Sequence, residues 1–366
     1  MKPESTHLAQ GILSDKDLLL LRLSLSEGPT QEELDKYLEG WDLDTAPMTE
    51  AVLLSYLLKM HPGLQVPAKI GPRLSGLLNY CRFQYLRLVG QFGIYCHALT
   101  AEGIRFLVMK GGAMKALRPD FPRWMGDIDI LVQEGDYQRA EQVARSCGYT
   151  LIHSAQSFDM KKDGQNIVDV HRFVPMHTGR ERAANPGFFA RSTSARIFSI
   201  DAMMPSREDL LFMTLVNLIR NLADDTGKDS ILYSFFDVRF LLTPQEGQDF
   251  DWTVVRDNAA LTGTAAHLEV ARRFLNGIIP GLIPEDVLQE VSEKEIDKAL
   301  TWILYRRDVL RPEREQIGEF NPVKALKAGK APIPYVCHRI RFFMHKRLEH
   351  CTSASRRILR RRQRAC

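Results

Sequence analysis

Two short apolar runs in the middle of the sequence carry three aspartates at strand spacing, and this pattern constrains the fold more than any other feature. The first run reads Asp127-Ile128-Asp129-Ile130-Leu131-Val132 and the second Val168-Asp169-Val170-His171. Side chains two residues apart on a strand share a face, with Cα atoms about 6.5–7 Å apart. Asp127 and Asp129 therefore point one way while Ile128 and Ile130 enter a core. The same alternation buries Val168 and Val170 and lifts Asp169 to the other face. If the two strands are neighbours, three carboxylates converge. Such a cluster repels itself unless cations sit in it, and hard oxygen ligands select Mg2+ or Mn2+.

D-x-D alone carries little weight, because Asp42-Leu43-Asp44 and Asp249-Phe250-Asp251 match it equally well. Neither lies in a β-type run with a double glycine upstream. Lys110-Gly111-Gly112 follows an apolar run at 104–109, and glycines after a strand let the backbone approach a phosphate and offer amide donors at the following helix start. The P-loop pattern G-x-x-x-x-G-K-[ST] is absent. Lys110 and Arg123 are natural triphosphate partners, Arg through bidentate contacts, against the alternative of a surface charge at a strand end. His171 shares the face of Asp169, which makes it an acceptor-side candidate, against the blander alternative of a solvent-facing histidine.

Periodicity places these motifs in an α+β protein, with a small mixed-sheet core embedded in mostly helical chain. Residues 1–100 read as a helical lead-in, with apolar runs at 18–23, 51–58 and 74–99 and a capping box at Thr30 and Glu33. Residues 101–205 form the mixed unit, with strands at 104–109, 127–132, 149–154 and 167–173 and a helix over 136–147 capped by Asp136 and buried through Ala140, Val143, Ala144 and Cys147. Residues 206–335 turn helical again, opening on Ser206 and Asp209 and continuing at 230–242, 259–274 and 293–304; a basic amphipathic tail fills 336–366.

The central segment resembles the nucleotidyltransferase superfamily typified by DNA polymerase beta. More closely, it resembles an uncharacterised bacterial branch marked by a Lys-Gly pair, an Arg and D-I-D-L-L-V, here Lys110-Gly111-Gly112, Arg123 and 127–132. The resemblance extends over most of the chain, including Trp41 and the 230–242 helix with Asp237, and is specific at the central motifs. It implies that Asp127 and Asp129 bridge two divalent ions. Asp169 would hold the catalytic ion and help to deprotonate the acceptor, and Gly111 and Gly112 would contact the triphosphate. The implied reaction moves an NMP group from an NTP to a hydroxyl acceptor (small molecule, carbohydrate or protein) with release of pyrophosphate by a two-metal mechanism. Two departures stand out: a long gap between the glycines and Asp127, and Asn217 with Asn221 where a histidine is expected. One rival is a sugar-nucleotide glycosyltransferase using D-x-D for Mn2+, which requires a Rossmann-like βαβ array ahead of the motif. Another is a catalytically silent nucleotide-binding scaffold, which has no need of three converging carboxylates.

Charge adds one further constraint. The 366 residues carry a formal +4, but residues 339–366 hold ten Lys and Arg against one acidic residue, so the other 338 sum to about −5. The Arg-rich tail, with the apolar stripe Val336, Ile340, Phe343 and Leu348, points to an anionic membrane surface or an acidic partner. Its thin aromatic content gives no strong nucleic-acid signal. Cys337, His338, His345, His350 and Cys351 fit no zinc spacing. The absence of an apolar leader and of a spanning stretch, together with six scattered cysteines, leads to the expectation of a cytoplasmic chain with reduced thiols, peripheral at the membrane where the tail engages it.

Overall fold

The structure is a computed structural model that describes residues 12–307 apart from 27, 155, 163–164, 175, 177, 198, 225–226, 245–248 and 289. The basic tail and its Cys and His residues lie outside the described residues. The chain divides into two units, residues 1–300 and 301–366, and the sheet and the site belong to the first.

Helices dominate the lead-in because their starts are locally specified. In α1 (Asp15–Leu25) the Asp17 amide donates to Ser14 Oγ at 3.2 Å and the Ser14 amide donates back to Asp17 at 2.8 Å, a capping box not anticipated from the sequence. Helix α2 (Gln31–Leu38) starts on the expected reciprocal pair of Thr30 and Glu33. Helices α3 (Met48–Met60) and α4 (Gly71–Ala101) complete the lead-in, α4 running 31 residues with Pro in its first turn. Among the described residues no strand precedes β1, so the βαβ array that a glycosyltransferase requires ahead of the motif is not there.

Seven strands form one mixed sheet. They are β1 (Phe106–Val108), β2 (Ile128–Val132), β3 (Thr150–His153), β4 (Ser157–Lys162), β5 (Gln165–His171), β6 (Thr193–Ile197) and β7 (Ile200–Met204), in the order β3-β4-β5-β2-β1-β7-β6. Helix α5 (Lys110–Leu117) follows β1 and α6 (Tyr137–Ser146) follows β2. One face is largely apolar. Ile128, Ile130, Val132, Phe158, Met160, Val168 and Val170 cluster with Phe92, Tyr95 and Leu99 of α4 and with Ala140 and Ala144 of α6. Each such burial contributes roughly 1.5–3 kcal/mol relative to exposure, which makes this face the anchor of the sheet. Tyr95 satisfies its buried hydroxyl by donating to the Ala140 carbonyl at 2.9 Å.

Three expectations need correction. Asp136 does not cap α6; its own backbone is helical and its carboxylate pairs with Arg139 at 2.7 Å. The single helix expected over 259–274 is two, α10 (Trp252–Thr262) and α11 (Ala265–Ile278), because Gly263 takes a left-handed φ of 67° that ends α10. Strands β4, β6 and β7 are additions to the expected set, although Ser157-Phe158-Asp159-Met160-Lys161 alternates as a half-buried strand does. Helices α7 (Asn185–Ala190), α8 (Arg207–Asp224), α9 (Lys228–Leu242) and α12 (Glu293–Tyr305) complete the described chain. Among the described residues no helix is long and apolar enough to cross a membrane.

Candidate active site

The decisive fact about the acidic face is its register. Strand β2 runs parallel to β5 with Asp129 level with Asp169 and Leu131 level with His171. On the far side of β5, antiparallel β4 sets Asp159 level with Asp169. Asp129, Asp169 and Asp159 thus form one row across three adjacent strands, on the face opposite the valines. Asp159 is a site residue that sequence reasoning missed together with its strand. Asp127 lies one residue before β2, two residues from Asp129. Burial first, and then repulsion from Asp129, push its carboxyl up to about 7. Burial and the neighbouring Asp169 also raise Asp159.

Two cations answer this charge. Lys110 places its ammonium on the Asp129 carboxylate. Its backbone stands at φ 48°, the one non-glycine residue at positive φ among the described residues, where the chain turns from β1 straight into α5. That conformation costs a non-glycine residue roughly 1–2 kcal/mol. The Met109 amide, which donates to the Asp129 carbonyl at 2.9 Å, and the Lys110–Asp129 pair fix it. His171 is the second cation-forming group. It is 1% exposed, and its Nε2 lies 2.9 Å from Asp129 Oδ1 and 2.9 Å from Asp169 Oδ2. Burial and Lys110 work against its charge, but hydrogen bonds to the two carboxylates hold its pKa above the ordinary value. Asp129 responds in the opposite sense. Burial alone would raise it, yet Lys110 and His171 keep it well below the usual carboxylate range. A solvent-facing His171 is therefore ruled out; the ring belongs to the acidic cluster.

The two glycines have a packing role that the sequence did not reveal. A Cβ on Gly112 would stand 2.7 Å from Val108 Cγ1 and 3.3 Å from Ile128 Cγ2, so α5 lies on the sheet only because that atom is missing. A Cβ on Gly111 would meet Arg123 Nε at 2.8 Å. Arg123 is not a surface charge. Its guanidinium pairs with Asp237 of α9, both almost out of solvent, and lies 5.1 Å from the Tyr233 ring centroid. Its charge is held above the ordinary arginine range because Asp237 outweighs the effect of burial. The Trp124 amide donates to the Tyr233 hydroxyl at 2.9 Å, so two adjacent residues of the loop leading to Asp127 are tied to α9. Both D-x-D decoys have structural partners, Asp44 also pairing with Arg73 of α4. The Asp44 amide donates to Asp42 at 3.2 Å in a turn, and Asp251 caps α10 by accepting from the Thr253 amide at 2.9 Å.

Residues 50–279 match the family described as uncharacterised nucleotidyltransferase. The chain belongs to this family. As a nucleotidyltransferase it is an enzyme of the transferase class, acting on a nucleotide and an acceptor. Among solved structures it is similar to the antibiotic-resistance factor ANT(2'')-Ia, at 12% identity and TM-score 0.30, over 54% of this chain and 96% of that one. It is also similar to an antigenic nucleotidyltransferase-like protein from Paracoccidioides brasiliensis, at 14% identity and TM-score 0.31, over 49% and 90% of the two chains. No curated protein matches it.

Nucleotidyltransferases generally use divalent metals, and the donor set of this one fits such an ion. One ligating atom each from Asp129, Asp169 and His171 lie within 4.8 Å of one another. Asp169 Oδ1, buried, has no hydrogen-bond partner among the described residues. A buried carboxylate oxygen left without a donor is costly unless a cation takes that place. Asp127 is not part of this tight group.

Proposed function

We propose that this nucleotidyltransferase moves an NMP group from an NTP to a hydroxyl acceptor in a reaction that depends on Mg2+ or Mn2+. The observation that carries the reading is the level placement of Asp129 and Asp169 on neighbouring parallel strands, beside Lys110 at the start of α5. Bound divalent ions would supply charge stabilisation for the attacking and leaving oxygens at the α-phosphorus.

The chain's own residues do the rest. Asp129 and Asp169 would hold the cations, and Asp127, two residues before Asp129, would join them. Lys110, already among the carboxylates, is the side chain that exchanges Asp129 for a phosphate oxygen when nucleotide enters. The amides of Gly111 and Gly112 stand in the first turn of α5, where helix donors have no internal partner and suit a phosphate. Arg123 shapes that turn and, through Asp237, fixes the approach to Asp127. Asp159, on the side of Asp169 away from Lys110, faces the acceptor and favours one rich in hydroxyl or ammonium groups.

The test is transfer of label from α-labelled NTPs, with Mg2+ or Mn2+, into cell extract and into purified polyols, carbohydrates and proteins. Label should move with the wild-type chain and stop with Asp127→Asn plus Asp129→Asn. Transfer that survives the double substitution sinks the mechanism.

A further inference from the structure

His171 enters the carboxylate pair more deeply than a charge-balancing histidine needs to. Its Nε2 bears a single hydrogen, yet it lies 2.9 Å from an oxygen of each of two aspartates. Hydrogen bonding can satisfy one of those contacts at a time. The spacing has another meaning. Donors bound to one ion at about 2.1 Å sit about 3 Å apart when adjacent and about 4.2 Å apart when opposite. The 2.9 Å separations match adjacent positions around one ion, and the whole set of Asp129, Asp169 and His171 falls within 4.8 Å.

We infer that His171 is itself a metal ligand through Nε2, and that its nitrogen turns the site's preference from Mg2+ towards a divalent transition ion of the Mn2+ class. The inference rests on the metal-dependent reading above and adds the ligand that sets ion choice. Its physical basis is ligand softness. Mg2+ keeps oxygen ligands and water, whereas first-row transition ions take imidazole readily. Aspartates alone take Mg2+ and Mn2+ alike, so a nitrogen ligand adds preference for the second kind.

The backbone makes the placement unavoidable. Residues at i and i+2 of a strand share a face, so β5 carries Asp169 and His171 together, and the parallel register with β2 delivers Asp129 beside them. At 1% exposure the ring is held firmly by its surroundings. Lys110 is the contrasting cation. It reaches Asp129 on a flexible stem from a helix start and can leave, while His171 cannot. His171 and Asn217 of α8 line one small cavity of about 10 Å³ together with Met109, Lys110, Val174 and Met213. With Nε2 on the ion, the ring hydrogen sits on Nδ1, which is buried and has no hydrogen-bond partner among the described residues.

The experiment uses the full chain and Mn2+ alone as probe. Mn2+ is titrated in and followed by electron paramagnetic resonance, and the bound ion is then examined by electron spin echo modulation for nitrogen coupling. Nitrogen modulation is expected in the wild type and should vanish with Asp169→Asn, which excludes a surface histidine as its source. In His171→Asn, Mn2+ affinity should fall at least about tenfold, while Mg2+ affinity, read by competition, changes less than about threefold. Mn2+ bound at this site without nitrogen modulation overturns the inference and leaves the metal-dependent reading standing. So does an unchanged Mn2+ to Mg2+ ratio in a folded His171→Asn. Wild-type protein that binds no Mn2+, or binds it equally after Asp169→Asn, overturns both. The wild-type spectrum needs no variant, so a misfolded His171→Asn does not blunt the test.

Discussion

Two buried carboxylate sites in this molecule obey opposite rules. Asp209, at the start of α8, is fully buried, and each of its oxygens is matched. Oδ1 accepts from Arg191 at 2.6 Å and from Asn258 at 2.7 Å, while Oδ2 accepts from Arg191 at 3.0 Å and from Ser206 at 3.1 Å. The sheet site gathers Asp127, Asp129, Asp169 and Asp159 around one lysine and one histidine and leaves a buried oxygen of Asp169 without a donor among the described residues. At Asp209 the fold fills the lone pairs. An open oxygen alone does not mark a binding site, since Asp237 Oδ1, in the pair with Arg123, also lacks a partner among the described residues; at Asp169 a second carboxylate and a histidine converge on it as well.

The sharpest way to break this contrast is to exchange the consequences. Asp129→Asn should lower transfer activity on the order of 10³-fold or more, whereas Arg191→Ala should spare the chemistry and lower stability by about 2–3 kcal/mol in urea denaturation. The stability figure sits low in the range for buried pairs because Arg191 is 36% exposed. An Asp129 variant that keeps its activity, or an Arg191 variant that melts normally, removes the distinction.

Lys115 tests the same rule with the sign reversed. Its ammonium donates to the Phe121 carbonyl at 2.7 Å and lies 5.2 Å from the Tyr85 ring, and burial, only partly offset by Asp120, lowers it to about 8 from 10.5. Between those values the unfolded chain binds more protons than the folded one, so this residue makes stability rise with pH across that window. Lys115→Met should therefore stabilise the protein by up to about 3 kcal/mol at pH 7, and the gain should fade towards pH 10. Chemical denaturation of both proteins at pH 7, 8.5 and 10 gives the answer; a constant difference contradicts it.

Smaller effects separate the glycines and the decoys. Gly112→Ala must push Val108 or lift α5, which should cost about 1–3 kcal/mol and depress activity as Lys110 shifts with the helix. Asp251→Ala removes a helix cap and should cost about 1 kcal/mol in thermal denaturation, with activity intact. Loss of activity there would mean that the second D-x-D does more than cap α10.

Much of the site is legible in the order of residues alone. Asp127, Asp129 and Asp169 alternate with Ile and Val, and alternation is a local property that needs no partner to be read. The boxes at Thr30 with Glu33 and at Ser206 with Asp209 are legible for the same reason, since each closes within four residues. Asp159 escapes although its strand alternates equally well, because nothing local says which strand lies beside β5. The pairing of Arg123 with Asp237 escapes as well, because the two lie 114 residues apart along the chain.

By itself the sequence determined that two strands carry aspartates on one face, that a double glycine follows an earlier strand, and that helices surround this unit. Only the tertiary structure decided that β2 and β5 are parallel neighbours with Asp129 level with Asp169. The same packing drew Asp159 into the row, put His171 between the carboxylates, and gave Gly111 and Gly112 their second role as gaps for Arg123 and Val108. The reason is range. Periodicity and capping act over a few residues, whereas register follows from packing both faces of a sheet at once, and that packing involves side chains from α4 to α9.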